Sequence, residues 1–369
     1  MKKAIGFILS FFILCSGLTV NSNAVSAKAY ILVNADTLGV ITGENYNIKL
    51  PMASTTKIMT ALILAEQNTP NRKIKVTSEM VDVEGSSMGL CAGDEVSFKD
   101  LMYGLLLTSG NDAANVVAYV LGGSLDEFAK LMNKKARSLG LKNTNFVTPS
   151  GLDDENHYTT AYDLAVLTAY ALKNQTFKKA VSCYKAIVNF GSPPVRKTIT
   201  NHNKLLVDYE YAIGVKTGFT KKSGRCLVSA AERDGKTVIC VTLNDPDDWK
   251  DHRKLLDLGL NSLTVVTPSD RAEITDAAVF CGEKDKVGLD LNFGAISISE
   301  SEAEKLNYKI NYQKILVAPV HKGQIIGTID YYIDNKKVKS FNITAKDNVN
   351  VLKNEPFDIF LCCFKLLLN

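Results

Sequence analysis

The chain has 369 residues, of which 46% are hydrophobic and 22% are charged, a composition typical of a folded protein long enough for two domains. Its 43 basic and 39 acidic residues give a net charge of +4, and this near balance gives no reason to expect a nucleic-acid partner. The eight cysteines and four histidines are scattered, so the sequence predicts neither a disulfide framework nor a metal site.

The first 27 residues have the features of an export signal. Lys2 and Lys3 precede an apolar run from Ala4 to about Val20, and small residues follow. Val25-Ser26-Ala27 is the expected cleavage site, with Ser22-Asn23-Ala24 as a second. An uncleaved anchor is the alternative, but the run is short for a membrane span and is diluted by serine and glycine. We therefore predict a signal peptide over residues 1–27 and a protein that acts outside the cytoplasm, either attached to the outer face of the membrane or secreted.

The following segments predict one α/β domain over residues 28–264. It starts with a hairpin, Tyr30–Asn34 and Val40–Thr42, and then a helix that begins near Ser54, which is a good N-cap residue. The later predicted elements are the helices Phe98–Leu107, Ala113–Leu121, Ser124–Leu139 and Ala161–Leu172, the strands Tyr211–Lys216, Arg225–Arg233 and Thr237–Leu243, and the helix Lys250–Leu258. Because strands flank a helical insert, the first strands should pair with the returning ones in an antiparallel sheet covered by helices.

Beyond residues 264–270 the pattern changes to short strands with turns, which predicts a small β-rich domain over residues 270–350. Its predicted strands are Tyr308–Tyr312, Ile315–Pro319, Gly327–Ile333 and Lys337–Asn342. No catalytic cluster is evident in this part, which is interpreted as a spacer or interaction module.

The last segment, residues 356–369, is almost entirely apolar, with charges only at Asp358 and Lys365. A helix of this length is about 21 Å long and too short to cross a hydrocarbon core of roughly 30 Å. We expect an amphipathic helix that lies in the membrane surface. The alternative is a helix packed against its own domain.

Three short motifs carry candidate chemistry. Ser54 and Lys57 are three residues apart, so on a helix they share a face, and a lysine of lowered pKa can take the proton of a serine hydroxyl. The segment Ser109-Gly110-Asn111 joins two predicted helices; Ser109 can relay a proton, and Asn111 can hold a substrate carbonyl or orient the lysine. Taken alone, each motif also has a purely structural interpretation. Ser54 and Lys57 fit a helix cap beside a surface lysine, and Ser109-Gly110-Asn111 fits a turn between two helices.

The third motif, Lys216-Thr217-Gly218, ends a predicted apolar strand. Lys216 supplies positive charge, Thr217 can bond a carboxylate, and Gly218 removes a side chain where a backbone comes close. An open strand edge here can bind a peptide by β-augmentation. A strand that runs into a turn is the alternative.

The joint occurrence of S-x-x-K, S-x-N and K-T-G in this order is the signature of active-site serine penicillin-binding proteins and β-lactamases. The segments "GSSMGL" (85–90), "DLMYGLLLTSGNDAANVVA" (100–118), "LGLKNTNFVTPSGLDDENHYTTAYDLA" (139–165) and "GVKTGFTKKSGRCLVSAAERDG" (214–235) resemble the low-molecular-mass penicillin-binding proteins that are serine D-alanyl-D-alanine carboxypeptidases. The segment "DDWKDH" (247–252) is similar to versions from Gram-positive, spore-forming bacteria.

The resemblance implies that Ser54 forms an acyl-enzyme, with Lys57 as proton acceptor and with Ser109 and Asn111 completing the centre. It implies that Lys216 and Thr217 bind the terminal carboxylate of a peptidoglycan stem peptide ending in D-Ala-D-Ala, and that Gly218 opens the cleft. β-Lactams would acylate the same serine, and no metal or organic cofactor is implied. Phe219 departs from the family pattern, since some members carry histidine after K-T-G.

Three other functions are alternatives to this interpretation. A β-lactamase needs a group that drives deacylation, and Asp153, Asp154 and Glu155 are available, although a polar loop accounts for them. A non-catalytic module that binds cell wall or β-lactams is the second, and the intact Ser54 and Lys57 argue against it. A transpeptidase differs only in whether an amine or water accepts the acyl group.

Overall fold

The computed structural model describes residues 25–267 and 274–352. Its strands are β1 (Ala29–Asn34), β2 (Val40–Glu44), β3 (Lys73–Lys75), β4 (Glu95–Ser97), β5 (Lys185–Gly191), β6 (Pro194–Thr200), β7 (Ala212–Thr220), β8 (Gly224–Arg233), β9 (Lys236–Leu243), β10 (Leu263–Val266), β11 (Asp276–Phe280), β12 (Lys286–Leu291), β13 (Ile296–Ser299), β14 (Asn307–Tyr312), β15 (Ile315–Val317), β16 (Ile325–Ile333) and β17 (Lys336–Ala345).

The helices are α1 (Lys57–Ala65), α2 (Ser78–Val81), α3 (Phe98–Leu106), α4 (Asn111–Gly122), α5 (Leu125–Ser138), α6 (Ala161–Ala171), α7 (Gln175–Val181), α8 (Leu205–Asp208), α9 (Asp248–Ser262) and α10 (Glu300–Ala303). A 3₁₀ turn, Ala53–Thr56, leads directly into α1. No helix within the described ranges is long and apolar enough to cross a bilayer.

A five-stranded antiparallel sheet in the order β2-β1-β9-β8-β7 forms the centre of the first unit. The first strand pairs with a returning one, β1 with β9, as predicted. Both faces of the sheet are covered: residues that alternate along strand β1 pack into two different apolar clusters, one on each face. Ile31 and Val33 pack with the helical insert, whereas Leu32 packs on the face that α9 covers. This two-sided burial explains the nearly continuous apolar sequences of β8 and β9.

The helix that carries the S-x-x-K motif lies deep in the first unit. All nine residues of α1 are buried. The prediction of Ser54 as an N-cap was wrong: it lies inside the 3₁₀ turn, and α1 begins at Lys57. Hydroxyl groups of the neighbouring Thr55 and Thr56 bond to the backbone of the turn instead.

A second sheet, in the order β3-β4-β5-β6, was not predicted. Its β5–β6 hairpin contains Pro193 and Pro194 and presents mostly exposed residues, so its period-2 pattern is weak. The helices α3 to α6 agree with the predictions within two residues at each end, whereas α9 is longer at both ends than predicted. Strand β7 continues to Thr220, so K-T-G lies within a strand and not at its end.

The second unit is a six-stranded sheet in the order β14-β16-β17-β12-β11-β15, with an apolar core of its own. The four strands predicted there are present, and β11, β12 and β13 are additional. The contacts that tie this unit to the first include a hydrogen bond from Asn34 Nδ2 to the carbonyl of Ser297 at 2.7 Å and an ion pair of 2.9 Å between Lys339 Nζ and Asp36 Oδ2. The architecture is therefore the predicted α/β unit followed by a β-rich one. The predicted signal segment and the predicted helix over 356–369 lie outside the described residues, apart from residues 25–27.

Candidate active site

Lys57 is fully buried, and its side-chain nitrogen has three oxygen neighbours. Its Nζ atom lies 2.9 Å from Ser54 Oγ and donates to Asn111 Oδ1 at 2.7 Å and to the carbonyl of Ser150 at 2.8 Å. Burial holds the pKa of Lys57 well below its usual range, the charge of Lys216 lowers that pKa further, and Asp112 partly opposes both. A neutral amine has two N–H bonds and one lone pair. Because Asn111 and Ser150 take the two N–H bonds, the lone pair faces the hydroxyl of Ser54.

The Asn111 side chain is itself fixed at the start of α4. Its Nδ2 donates to the carbonyl of Glu84 at 2.7 Å, and its backbone N–H donates to the carbonyl of Ser86 at 2.6 Å. These bonds leave Oδ1 directed at Lys57. Ser109, two residues earlier, is almost fully buried and has a φ of 59°, a left-handed conformation that turns the chain between α3 and α4.

The loop over residues 84–90 is held against α4 by Asp112. This buried carboxylate accepts hydrogen bonds from the hydroxyl of Ser87 at 2.6 Å and from the N–H groups of Met88, Gly89 and Leu90 at 3.0 Å each. In the sequence, this loop was noticed only because residues 85–90 resemble a segment of the family. The structure gives it a physical role, because it carries the two carbonyls that fix Asn111.

Strand β7 brings the K-T-G motif against the 3₁₀ turn. Lys216 is buried, burial lowers its pKa to about 7, and its Nζ donates to the carbonyl of Thr217 at 2.8 Å. A Cβ atom on Gly218 would lie 3.1 Å from the backbone nitrogens of both Ser54 and Thr55. Gly218 thus permits the close backbone approach that the sequence predicted. Among the strands described, β7 pairs only with β8, so its other edge is open.

These elements enclose a groove of about 440 Å³. Its walls are formed by Ser54, Ser86, Ser109, His202, Thr217, Gly218, Phe219, Arg225, Asp248 and Trp249. Four predicted residues line it directly: Ser54, Ser109, Thr217 and Gly218. The other three lie buried beside these: Lys57 contacts Ser54, Asn111 contacts Lys57, and Lys216 contacts the carbonyl of Thr217. The groove therefore brings all seven together.

Residues 17–247 match the protein family described as D-alanyl-D-alanine carboxypeptidase. The chain belongs to this family. Residues 266–351 match a second family, described as the C-terminal domain of penicillin-binding protein 5. The sequence resemblance to serine carboxypeptidases that bind penicillin is thereby confirmed.

Relatives and solved structures agree with this assignment. The carboxypeptidase is 30% identical to D-alanyl-D-alanine carboxypeptidase DacF of Bacillus subtilis, over 96% of this chain and 93% of that protein. It is 33% identical to D-alanyl-D-alanine carboxypeptidase DacC of Escherichia coli, over 90% of this chain and 86% of that protein. Penicillin-binding protein 5 of Haemophilus influenzae superposes with a TM-score of 0.64 at 28% identity, covering 89% of this chain and 98% of that one. The chain is therefore a serine-type carboxypeptidase.

Two features of the carboxypeptidase's groove were not predicted from the sequence. Ser150 supplies the second carbonyl to Lys57, and nothing in its sequence context marks a backbone acceptor. Arg225 donates from Nη2 to Asp248 Oδ1 at 2.6 Å and lies 5.8 Å from the ring of Trp249, so the start of α9 forms one wall. The only sequence signal for this wall was the family-like segment 247–252.

His157 links the loop that contains Ser150 to the 3₁₀ turn that contains Ser54. Burial lowers its pKa to about 4, so the ring is neutral near pH 7. Its Nδ1 accepts from the N–H of Val147 at 3.0 Å, which leaves the proton on Nε2, 2.7 Å from Thr56 Oγ1. His157 thus has a structural role, because its hydrogen bonds connect two loops of the site.

Proposed function

We propose that Ser54 is the nucleophile and Lys57 the general base of this carboxypeptidase. The observation that carries the proposal is the triple coordination of Lys57 Nζ by Ser54, Asn111 and Ser150. The neutral amine removes the proton of Ser54 as its oxygen attacks the carbonyl between the two D-alanines. The proton then passes to the departing amine of the terminal D-Ala, and Ser109, at the groove wall, relays it. Water cleaves the resulting ester and restores Ser54.

The oxyanion is stabilised by the backbone N–H groups of Ser54 and Phe219 in this proposal. In an antiparallel edge strand, alternate residues direct their N–H groups away from the partner strand. The N–H of Thr220 bonds to Ser223 within the β7–β8 turn, so the N–H of Phe219 is directed towards the open edge. A Cβ atom at Gly218 would lie close to the nitrogens of Ser54 and Thr55, so strand β7 and the 3₁₀ turn approach each other closely. This close approach supports the proposal that the N–H groups of Ser54 and Phe219 bind one carbonyl oxygen from opposite sides.

We propose that the substrate is the D-Ala-D-Ala end of a peptidoglycan stem peptide, and that β-lactam antibiotics acylate the same serine. The peptide adds as a strand to the open edge of β7. Its terminal carboxylate is bound by Lys216, in the protonated state, and by the hydroxyl of Thr217. Gly218 leaves room for the peptide beside Ser54.

Four further assignments remain proposals. The N-terminal segment directs export, and the segment 356–369 attaches the protein to the outer face of the cytoplasmic membrane. The catalytic domain spans residues 28–264 and the β-rich domain residues 270–350. Separate apolar cores in the two units support this division.

The test is mass spectrometry of a diacyl-Lys-D-Ala-D-Ala peptide incubated with the protein. We expect loss of one D-Ala with the native chain, and no loss with Ser54→Ala or Lys57→Ala. Lys99→Ala changes an exposed lysine outside the groove and is the matched control that keeps activity. Undiminished release of D-Ala by folded Ser54→Ala protein would refute the assignment.

A further inference from the structure

The first described residues of the chain are bound tightly to the catalytic unit. The side chain of Val25 packs against the apolar cluster beneath the main sheet, which includes Leu32 and Leu256. The next residue, Ser26, donates its backbone N–H to Asp251 Oδ2 at 2.7 Å. Its hydroxyl lies 2.5 Å from Asp245 Oδ1 and 2.9 Å from Asp251 Oδ2. The segment before β1 is therefore part of the folded structure.

The two carboxylates that hold Ser26 lack a positive partner. Asp245 is fully buried and Asp251 is 4% exposed. Among the side chains of residues 25–267 and 274–352, no lysine, arginine or histidine forms a salt bridge with either carboxylate. Within the same ranges, Asp245 Oδ2 is buried with no hydrogen-bond partner. Buried carboxylates without a cation are strongly unfavourable, so this pair is suited to receive one.

We infer that the leader is removed between Ala24 and Val25, and that the new α-ammonium group of Val25 is the missing cation. Neighbouring backbone nitrogens are no more than about 3.8 Å apart, which places the amine within about 6.5 Å of Asp251 Oδ2. Water hydrolyses the Ala24–Val25 amide, leaving a carboxylate on Ala24 and an amine on Val25 that is protonated near neutral pH. Ser22 and Ala24 supply the small residues that leader cleavage requires.

The structure thus favours the second of the two predicted cleavage sites. Cleavage after Ala27 would remove both Val25 and Ser26, so both carboxylates would lose the hydrogen bonds from Ser26, and Asp245 would keep only the N–H of Asp247 among these donors. It would also remove the Ser26 hydroxyl that accepts from the N–H of Asp247 at 3.2 Å. That bond holds the turn before α9, next to Asp248, whose carboxylate binds Arg225 in the groove wall. The mature N-terminus therefore supports one side of the active site.

The first experiment is export of the full chain from a Gram-positive host, followed by intact-mass measurement and N-terminal sequencing. We expect a mature protein that begins at Val25. A protein that begins at Lys28, or one that keeps residues 1–24, overturns the inference. Loss of D-Ala release is a separate readout, so failure of the proposed mechanism does not affect this result.

The second experiment compares the thermal stability of chains that begin at Val25 and at Lys28, both extending to Asn369. We expect Asp251→Asn to lower the melting temperature of the first by several degrees and to have little effect on the second. Acetylation of the Val25 amine should produce the same loss as Asp251→Asn. Asp257→Asn, on the same helix and bonded to Tyr209, is the control that affects both chains equally. Equal effects of Asp251→Asn on the two chains would contradict an ammonium–carboxylate contact.

Discussion

Asn111 Oδ1 accepts a 2.7 Å hydrogen bond from Lys57 Nζ, although the two residues are 54 positions apart. The bond uses one N–H of the amine and so helps to direct the lone pair at Ser54. An amide does this without adding charge, which keeps the pKa of Lys57 low. A carboxylate at the same position would reverse that effect.

Asn111→Asp should therefore slow acylation by penicillin at neutral pH. A negative charge within about 4–6 Å raises the pKa of an amine by roughly 1–3 units, so the expected loss is at most about 10³-fold. The rate should recover as pH rises, because the amine then loses its proton. Stopped-flow acylation across pH measures this, with Asn111→Gln as the neutral control. A loss that is independent of pH would count against the charge argument.

The pH dependence of kcat/KM should have two limbs. Lys57 must be neutral to act as a base, so activity is lost as pH falls through its lowered pKa. Lys216 must be protonated to attract a carboxylate, and its pKa is about 7, so activity should decline again above about pH 7. Lys216→Arg should move this alkaline decline to higher pH, because arginine keeps its proton.

A substrate without a terminal carboxylate provides the control for Lys216. An ester substrate analogue in which an amide replaces the terminal carboxylate should lose activity at low pH but should show no alkaline decline in kcat/KM. If the alkaline decline persists with that analogue, Lys216 is not its cause.

Gly218→Ala should reduce kcat/KM by up to about 10²-fold while the fold is kept. The new methyl group would lie 3.1 Å from the nitrogens of Ser54 and Thr55, both held in the rigid 3₁₀ turn. Either β7 or the turn must shift, and the oxyanion donors shift with it. Gly288→Ala is the matched control, because that Cβ meets only the flexible side chain of Lys346. Equal activity of Gly218→Ala and native protein would show that the close approach is unnecessary.

Asp112→Asn should have both a structural and an electrostatic effect. Loss of a carboxylate that accepts five hydrogen bonds should lower the free energy of unfolding by about 2–3 kcal/mol. Because Asp112 raises the pKa of Lys57, its neutralisation should also move the acid limb of acylation to lower pH. Denaturant unfolding and the pH profile measure the two effects.

The control is Asp163→Asn, which also removes a buried carboxylate. Asp163, on α6, accepts hydrogen bonds from Asn143 and Thr144 and, unlike Asp112, is not among the charges that shift the pKa of Lys57. We expect destabilisation without a displaced acid limb. A displaced limb in both variants would indicate a general effect of instability.

The sequence predicted most of the helices, because their apolar spacing and caps are local features. Ser97, Ser124 and Thr160 each accept a hydrogen bond from a backbone N–H in the first turn of the following helix. The four-stranded sheet was missed because β3 and β4 have only three residues each and the β5–β6 hairpin is largely exposed. Short, exposed strands depend on pairing partners that no local pattern reveals.

The amino-acid sequence alone is enough to predict which side chains are available for chemistry and that Ser54 and Lys57 are neighbours, because residues three apart lie on the same face of a helical turn. The lowered pKa of Lys57 arises only in the folded protein, since it depends on burial and on the charges of Lys216 and Asp112. The same is true of the direction of its lone pair, which the carbonyl of Ser150 and the amide of Asn111 fix from distant parts of the chain. Desolvation and through-space contacts act between residues that only folding brings together, so no spacing in the sequence contains them.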